Sequence, residues 1–336
     1  MEARDDTNKL SSKRLTGKVA VITGGARGIG AATAKLFAEN GAHIVIADIL
    51  DELGAALAST IGGRYIHCDV TKEEDVESAV RLAVSWKGQL DIMFNNAGIS
   101  GSGGSITSLN MEDVKFLLSV NLNGILHGIK HAAKAMIEGQ RKGSIICTSS
   151  SAAIMGGLAS HAYSLSKEAI IGLARSTACE LGKHGIRVNC ISPHGVPSEM
   201  LVNAYRKYLG KADMKPEEVC KMVRDSGSLL RGRSASIEDV AQAALFLASE
   251  EAGFITAHNL VIDGGYTTEI FRKRSCGHSL WPYSVSMKMN GMTNKGESSA
   301  GNATLGSDSC GWVSDGAFTA DSLFSKKKEQ SISEKK

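Results

Sequence analysis

A chain of 336 residues, 43% hydrophobic, carries enough apolar matter for one large or two modest domains. Its net charge of +3 is local: residues 271–336 hold 10 Lys and Arg against 6 Asp and Glu, leaving 28 against 29 in the first 270, so nothing calls for nucleic acid as a partner. No apolar run reaches the roughly 18–20 residues of a membrane span, and the polar start Met1-Glu-Ala-Arg-Asp-Asp lacks the apolar core of a signal peptide, so a cytoplasmic protein is expected.

Short apolar runs then alternate with amphipathic stretches. Lys18–Thr23 reads as a buried strand, and Ile29–Asn40 as a helix stopped by Gly41. Strands follow at Ala42–Asp48, Tyr65–Asp69 and Leu90–Asn95. One long helical pattern covers about Met111–Glu138, and a strand follows at Gly143–Ser149. A helix over about His161–Lys183, a strand at Ile186–Ser192, a helix near Ile237–Ser249 and a last strand at Asn259–Asp263 complete the pattern. This order predicts an α/β protein of the Rossmann type: a doubly wound, mostly parallel sheet covered on both faces. The stretch 198–233 is polar and irregular, with the length of a lid carrying one or two helices. Beyond Thr268 the periodicity ends and Ser, Gly and Lys dominate. We therefore expect a polar extension over 1–14, one catalytic domain over 15–270, and a disordered low-complexity tail over 271–336. Asn302 fits a glycosylation sequon in a chain with no other sign of secretion.

Seven cysteines (68, 147, 179, 190, 220, 276 and 310) show no Cys-x-x-Cys, which suggests reduced thiols. His127 and His131 have metal-like spacing, but the zinc-protease glutamate is missing between them, so no metal site is expected.

Thr23-Gly24-Gly25-Ala26-Arg27-Gly28-Ile29-Gly30 follows the first strand and opens the first helix. Glycines there permit a tight turn and close approach of backbone to a pyrophosphate, and the helix N-terminus offers free N–H groups. Asp48 ends the second strand, where a carboxylate accepts hydrogen bonds from ribose hydroxyls and repels a 2′-phosphate. That argues for NAD over NADP. Arg27 dissents, since a cation in this loop could face a 2′-phosphate. Asp69 and Val70 could contact adenine, and Asn95, Ala97 and Gly98 end the fourth strand where the cofactor approaches in this architecture.

Tyr163 and Lys167 are four residues apart on a helical pattern, hence on one face. A nearby ammonium favours the phenolate and brings the ordinary tyrosine pKa of about 10 toward working range. The pair reads as a proton-transfer device.

The glycine pattern, Asn95-Asn-Ala-Gly98, Asn121, Ser150, Tyr163-x-x-x-Lys167 and Pro193-x-Gly195, in this order, resemble the classical short-chain dehydrogenase/reductase family over roughly residues 14–270. Phrases such as His67-Cys-Asp-Val-Thr and Asn259-Leu-Val-Ile-Asp-Gly-Gly are similar to its plant branch, which includes xanthoxin, secoisolariciresinol, momilactone and tasselseed-type dehydrogenases. The resemblance implies Tyr163 as general acid/base, Lys167 as the residue that lowers its pKa and binds the nicotinamide ribose, and Ser150 on the substrate oxygen, with Ser149 and Ser151 as close rivals. It implies that Asn121 holds a water leading from Lys167 to solvent. It sets Ile191 to Val196, with Pro193 and Gly195 among them, beside the nicotinamide and Ser198 on the cofactor. The expected reaction is interconversion of a secondary alcohol and a ketone with NAD. Ile154, Met155, Leu158 and Met200 suggest an apolar pocket for a terpenoid, steroid-like or phenolic small molecule. A homotetramer built partly on the Asn121 and Tyr163 helices is implied as well. Two readings stand beside this one: an NADP-dependent carbonyl or acyl-thioester reductase of the same fold, and a catalytically silent nucleotide-sensing scaffold.

Overall fold

The computed structural model describes residues 13–226, 228–230 and 232–268. The expectations for residues 1–12, for the tail over 271–336, for Asn302 and for Cys276 and Cys310 lie outside the described residues.

Seven parallel strands form one sheet in the order β3-β2-β1-β4-β5-β6-β7. They are β1 (Val19–Thr23), β2 (His43–Asp48), β3 (Arg64–His67), β4 (Ile92–Asn95), β5 (Gly143–Thr148), β6 (Ile186–Pro193) and β7 (Asn259–Ile262). Every residue of β1 and β4 is buried, as strands covered on both faces require. Side chains alternate between the faces: Val19 and Val21 join the core under helices α3 (Glu73–Lys87), α5 (Gly124–Glu138) and α6 (His161–Leu181). Ala20 and Ile22 join the opposite core under α1 (Gly28–Glu39), α2 (Asp51–Thr60) and α9 (Ile237–Ala248). The strand order reverses between β1 and β4, which opens a crevice at the carboxyl ends of the central strands.

Helices α2 and α3 were not singled out from the sequence. Helix α2 buries only Gly54 and Ala58, too little for a clear stripe. The long helix expected over 111–138 runs without interruption as α4 (Met111–Leu118), a π-helical segment (Ser119–Asn123) and α5. Residues 198–233 carry two helices, α7 (Glu199–Leu209) and α8 (Pro216–Ser226). These share a small core of Val202, Tyr205, Met214, Val219 and Val223. No described helix is long and apolar enough to cross a membrane. Among the described residues no cluster suits a metal: His127 Nδ1 pairs with the Val70 carbonyl at 3.0 Å, and His131 Nε2 with Glu73 at 2.9 Å.

Candidate active site

A cleft of about 630 Å³ lies over the carboxyl ends of the central strands. Its floor on one side is the turn after β1. Gly28 sits there at φ +55° with open space where a β-carbon would be, so the backbone conformation, not crowding, requires glycine. Gly30 has the opposite reason: a β-carbon would lie 2.0 Å from the Gly24 carbonyl oxygen. No side chain caps the N-terminus of α1. Its first N–H groups and the positive end of its dipole therefore serve the cleft, a setting that suits a pyrophosphate. Asp48 is buried beside the turn, with Oδ2 accepting from the Ala26 N–H at 2.9 Å and Oδ1 from the Leu50 N–H at 3.1 Å. These residues fit a dinucleotide: a glycine cradle, an uncapped helix end and a fixed carboxylate stand in one groove. Asp69 and Val70 line the same end; burial pushes the Asp69 carboxyl up, but two hydrogen bonds from Thr71 help to hold it below its ordinary pKa.

The other end of the cleft is built from α6 and the segments after β5 and β6. Ser160 caps α6 through the Tyr163 N–H at 3.3 Å and fixes where the helix begins. Tyr163 and Lys167 then fall on the face turned to the cleft. Lys167 is buried, and its ammonium donates to the Thr148 carbonyl at 2.9 Å and stands 5.6 Å from the Tyr163 ring centroid. Burial lowers the Lys167 pKa from 10.5 to about 8. Burial also raises Tyr163 above 10.0, while a hydrogen bond with Ser150 works against that rise. Burial is the larger influence on the phenol here, and the Lys167 ammonium faces a carbonyl.

The three serines after β5 have separate partners. Ser149 Oγ donates to the Lys167 carbonyl at 2.6 Å, and Ser151 Oγ pairs with His194 Nδ1 at 2.8 Å. Ser150 meets Tyr163. Pro193, Gly195, Val196 and Ser198 border the cleft, the last capping α7 through the Leu201 N–H at 3.4 Å. Arg27 and Ile29 also line it, with Arg27 paired to Glu199 at 2.8 Å.

Not every expected residue reaches the cleft. Asn121 is fully buried in the π-helical segment and clamps Ile99, accepting from its N–H at 2.8 Å and donating to its carbonyl at 3.0 Å. It also donates to Ser166 Oγ at 3.2 Å. Gly98 lies between: a β-carbon there would stand 3.2 Å from Asn121 Oδ1 and 3.5 Å from Lys167 Nζ. Asn95, expected with its neighbours to line the adenosine side and to stabilise the central sheet, ends β4 with its side chain buried against Cys147; Asn96 lines the cleft and donates to the carbonyls of Thr23 and Gly24. Ala97 and Gly98 line it as expected. Of the apolar candidates, Leu158 and Met200 line the cleft; Ile154 and Met155 do not, Ile154 being exposed and Met155 packed beside Tyr266. His194, Glu199 and Tyr205, within the stretches expected at the cleft, line it too, as does Phe116, which the sequence did not single out. His194 stands between two motif residues, Pro193 and Gly195, which was the available signal.

The family model described as enoyl-(acyl carrier protein) reductase matches residues 24–267. A short-chain dehydrogenase reductase of Arabidopsis thaliana, ATA1, is 65% identical over 77% of this chain and 95% of its own length. Tropinone reductase-like 2 of Erythroxylum coca is 50% identical over 76% and 92%, and secoisolariciresinol dehydrogenase of Forsythia intermedia 48% identical over 80% and 95%. A solved short-chain type dehydrogenase/reductase from Mycobacterium marinum matches with a TM-score of 0.68 and 30% identity, over 77% of this chain and 99% of that one. These relatives are matched along nearly their whole length. The chain belongs to the short-chain dehydrogenase/reductase family, oxidoreductases that use NAD(P) on alcohols and ketones.

Proposed function

We propose that this protein is an NAD-dependent dehydrogenase that interconverts a secondary alcohol and a ketone on a small apolar substrate. One observation carries the reading: Tyr163, Ser150 and Lys167 meet at one end of a cleft whose other end holds the glycine turn and Asp48. In the oxidative direction Tyr163 Oη takes the hydroxyl proton, and in reduction it returns it. Ser150 orients the substrate oxygen; Ser149 and Ser151 are each committed to another partner, which favours this choice. Lys167 supplies positive charge beneath the phenol and binds the nicotinamide ribose. Asn121 fixes the Ile99 backbone behind this wall. Gly24, Arg27, Gly28, Ile29, Gly30, Asp48, Asp69, Val70, Ala97, Gly98, Pro193, Gly195, Val196 and Ser198 hold the cofactor. When bound, its nicotinamide supplies the hydride chemistry. Leu158, Met200 and Tyr205 offer the apolar wall suited to a terpenoid, steroid-like or phenolic alcohol. We read residues 198–233 as a lid over this end, the protein as cytoplasmic, and its assembly as a homotetramer.

The test is a broad panel of secondary alcohols with NAD, followed by NADH absorbance. Turnover of one class is expected, and Tyr163→Phe should lower kcat by the ~10²–10⁴ of a lost acid/base group with NADH still bound. Tight NADH binding with no alcohol oxidised would favour the silent scaffold. A second reading, an NADP-linked carbonyl or acyl-thioester reductase, draws on Arg27 in the glycine turn and on the description of the matching family model. Catalytic efficiency with NADP equal to or above that with NAD would select it.

A further inference from the structure

Arg27 and Glu199 stand 172 positions apart in the chain and meet across the cleft, Nη1 to Oε2 at 2.8 Å. Arg27 belongs to the glycine turn and directly precedes α1. Glu199 is the first residue of α7, where the helix dipole favours a carboxylate, and Ser198 caps that helix. Their side chains are 57% and 61% exposed, so each can exchange partners with a ligand.

Among the described residues, two side chains lining the cleft carry a lysine or arginine charge, Arg27 and Lys167. Lys167 is buried at the Tyr163 end with its ammonium on the Thr148 carbonyl. Arg27 is therefore the cation in the nucleotide half that an additional phosphate on the adenosine ribose could recruit. Among the described residues Arg27 pairs with Glu199 and not with Asp48. Asp48 is tied by two backbone N–H groups and cannot turn away from such a phosphate. A 2′-phosphate would thus meet one fixed carboxylate and one arginine already neutralised by another.

We propose that Glu199 is a cofactor-discriminating residue: by holding the Arg27 guanidinium to α7, it withholds the charge that would otherwise stabilise a 2′-phosphate, and so sets the preference for NAD over NADP. This deepens the dinucleotide reading of the cleft and rests on it. The pair is exposed, and exposed pairs are weak, so the discrimination is graded.

Dissociation constants of NADH and NADPH are to be measured by calorimetric titration on the full chain, for wild type, Glu199→Gln, Arg27→Gln and the double variant. Glu199→Gln should raise NADPH affinity relative to NADH by roughly three- to tenfold, the gain expected of a freed arginine on a phosphate. The double variant should lose that gain, and Glu112→Gln, which removes an exposed carboxylate outside the cleft, should not show it. The inference is overturned if the ratio stays at the wild-type value in Glu199→Gln, or if the gain persists without Arg27. It is equally overturned if both nucleotides gain alike, since Arg27 would then address the pyrophosphate they share. A wild-type protein that binds neither nucleotide removes the dinucleotide reading and this inference with it. One that binds both, with a ratio indifferent to Glu199, removes this inference alone.

Discussion

Lys167 brings an ammonium into a site where water is scarce, and the cost is visible in its pKa, lowered from 10.5 to about 8 by burial. The charge is held by one neutral acceptor, the Thr148 carbonyl, which offsets only part of the lost hydration. Between pH 8 and 10.5 the unfolded chain binds this proton more readily than the folded one. The group therefore opposes folding below pH 8, and that opposition fades as pH rises toward 10.5. At neutral pH it costs on the order of 3 kcal/mol. Replacing Lys167 by Met keeps the volume and removes the charge. Lys167→Met is expected to gain stability relative to wild type at pH 7, to lose that advantage progressively from pH 8 to 10.5, and to be inactive if the proposed role holds. Thermal melts of both proteins across this range check it; a difference independent of pH would show that the lysine is not desolvated as described. A residue that weakens the fold at working pH is the kind of strain that functional sites retain.

The elements around the site are held at distances that single atoms decide. Helix α5 approaches β4 so closely that a β-carbon on Gly128 would stand 1.7 Å from Asn95 Oδ1 and 2.9 Å from Met93 Cε. That Asn95 oxygen is buried without a hydrogen-bond partner among the described residues, so it has no polar pocket to retreat into. Gly128→Ala should destabilise by roughly 1–3 kcal/mol through overpacking. Gly172 on α6 is exposed with open space at its β-carbon, so Gly172→Ala should stabilise by up to ~1 kcal/mol through helix propensity. Denaturant melts that gave both substitutions the same sign would contradict this account. The same contrast explains what could be read from sequence. Strands β1 and β4 are buried on both faces, so their apolar runs were unmistakable. The glycine turn and the Tyr163–Lys167 spacing are local, and local geometry suffices to place them. Helix α3 carries Val76, Ala79, Val80 and Ala83 at helical spacing and is equally legible. What no local pattern could give are the pairs made by topology: Arg27 with Glu199, Ser151 with His194, and Asn121 with Ile99. The π-helical segment that seats Asn121 has no periodic signature either, because it adds one residue to an otherwise continuous helical stripe.

For the whole molecule, the question is which part of the chain the fold and cleft require. Both large cores draw their buried residues from Leu15 to Ala252, and the small core beside Tyr163 ends at Tyr266. The cleft is lined by residues between Gly24 and Ile237. The last strand, β7, closes on β6 through Asn259–Ile262, and Asp263 then accepts hydrogen bonds from the N–H groups of Gly265 and Thr267 to turn the chain. Every contact used to build the site is thus complete by residue 268. Removing residues 276–336 should leave the melting temperature and NADH affinity unchanged within error, because every described core and cleft residue is kept. The cut takes away 7 Lys and Arg and 6 Asp and Glu, so the net charge of the remaining chain hardly moves and electrostatics offers no separate route to destabilisation. Melting and NADH titration on the shortened chain check this. A lower melting temperature with weaker NADH binding would mean that the terminal segment packs on the domain; a change confined to light scattering would assign it to assembly between subunits and leave the cleft self-sufficient.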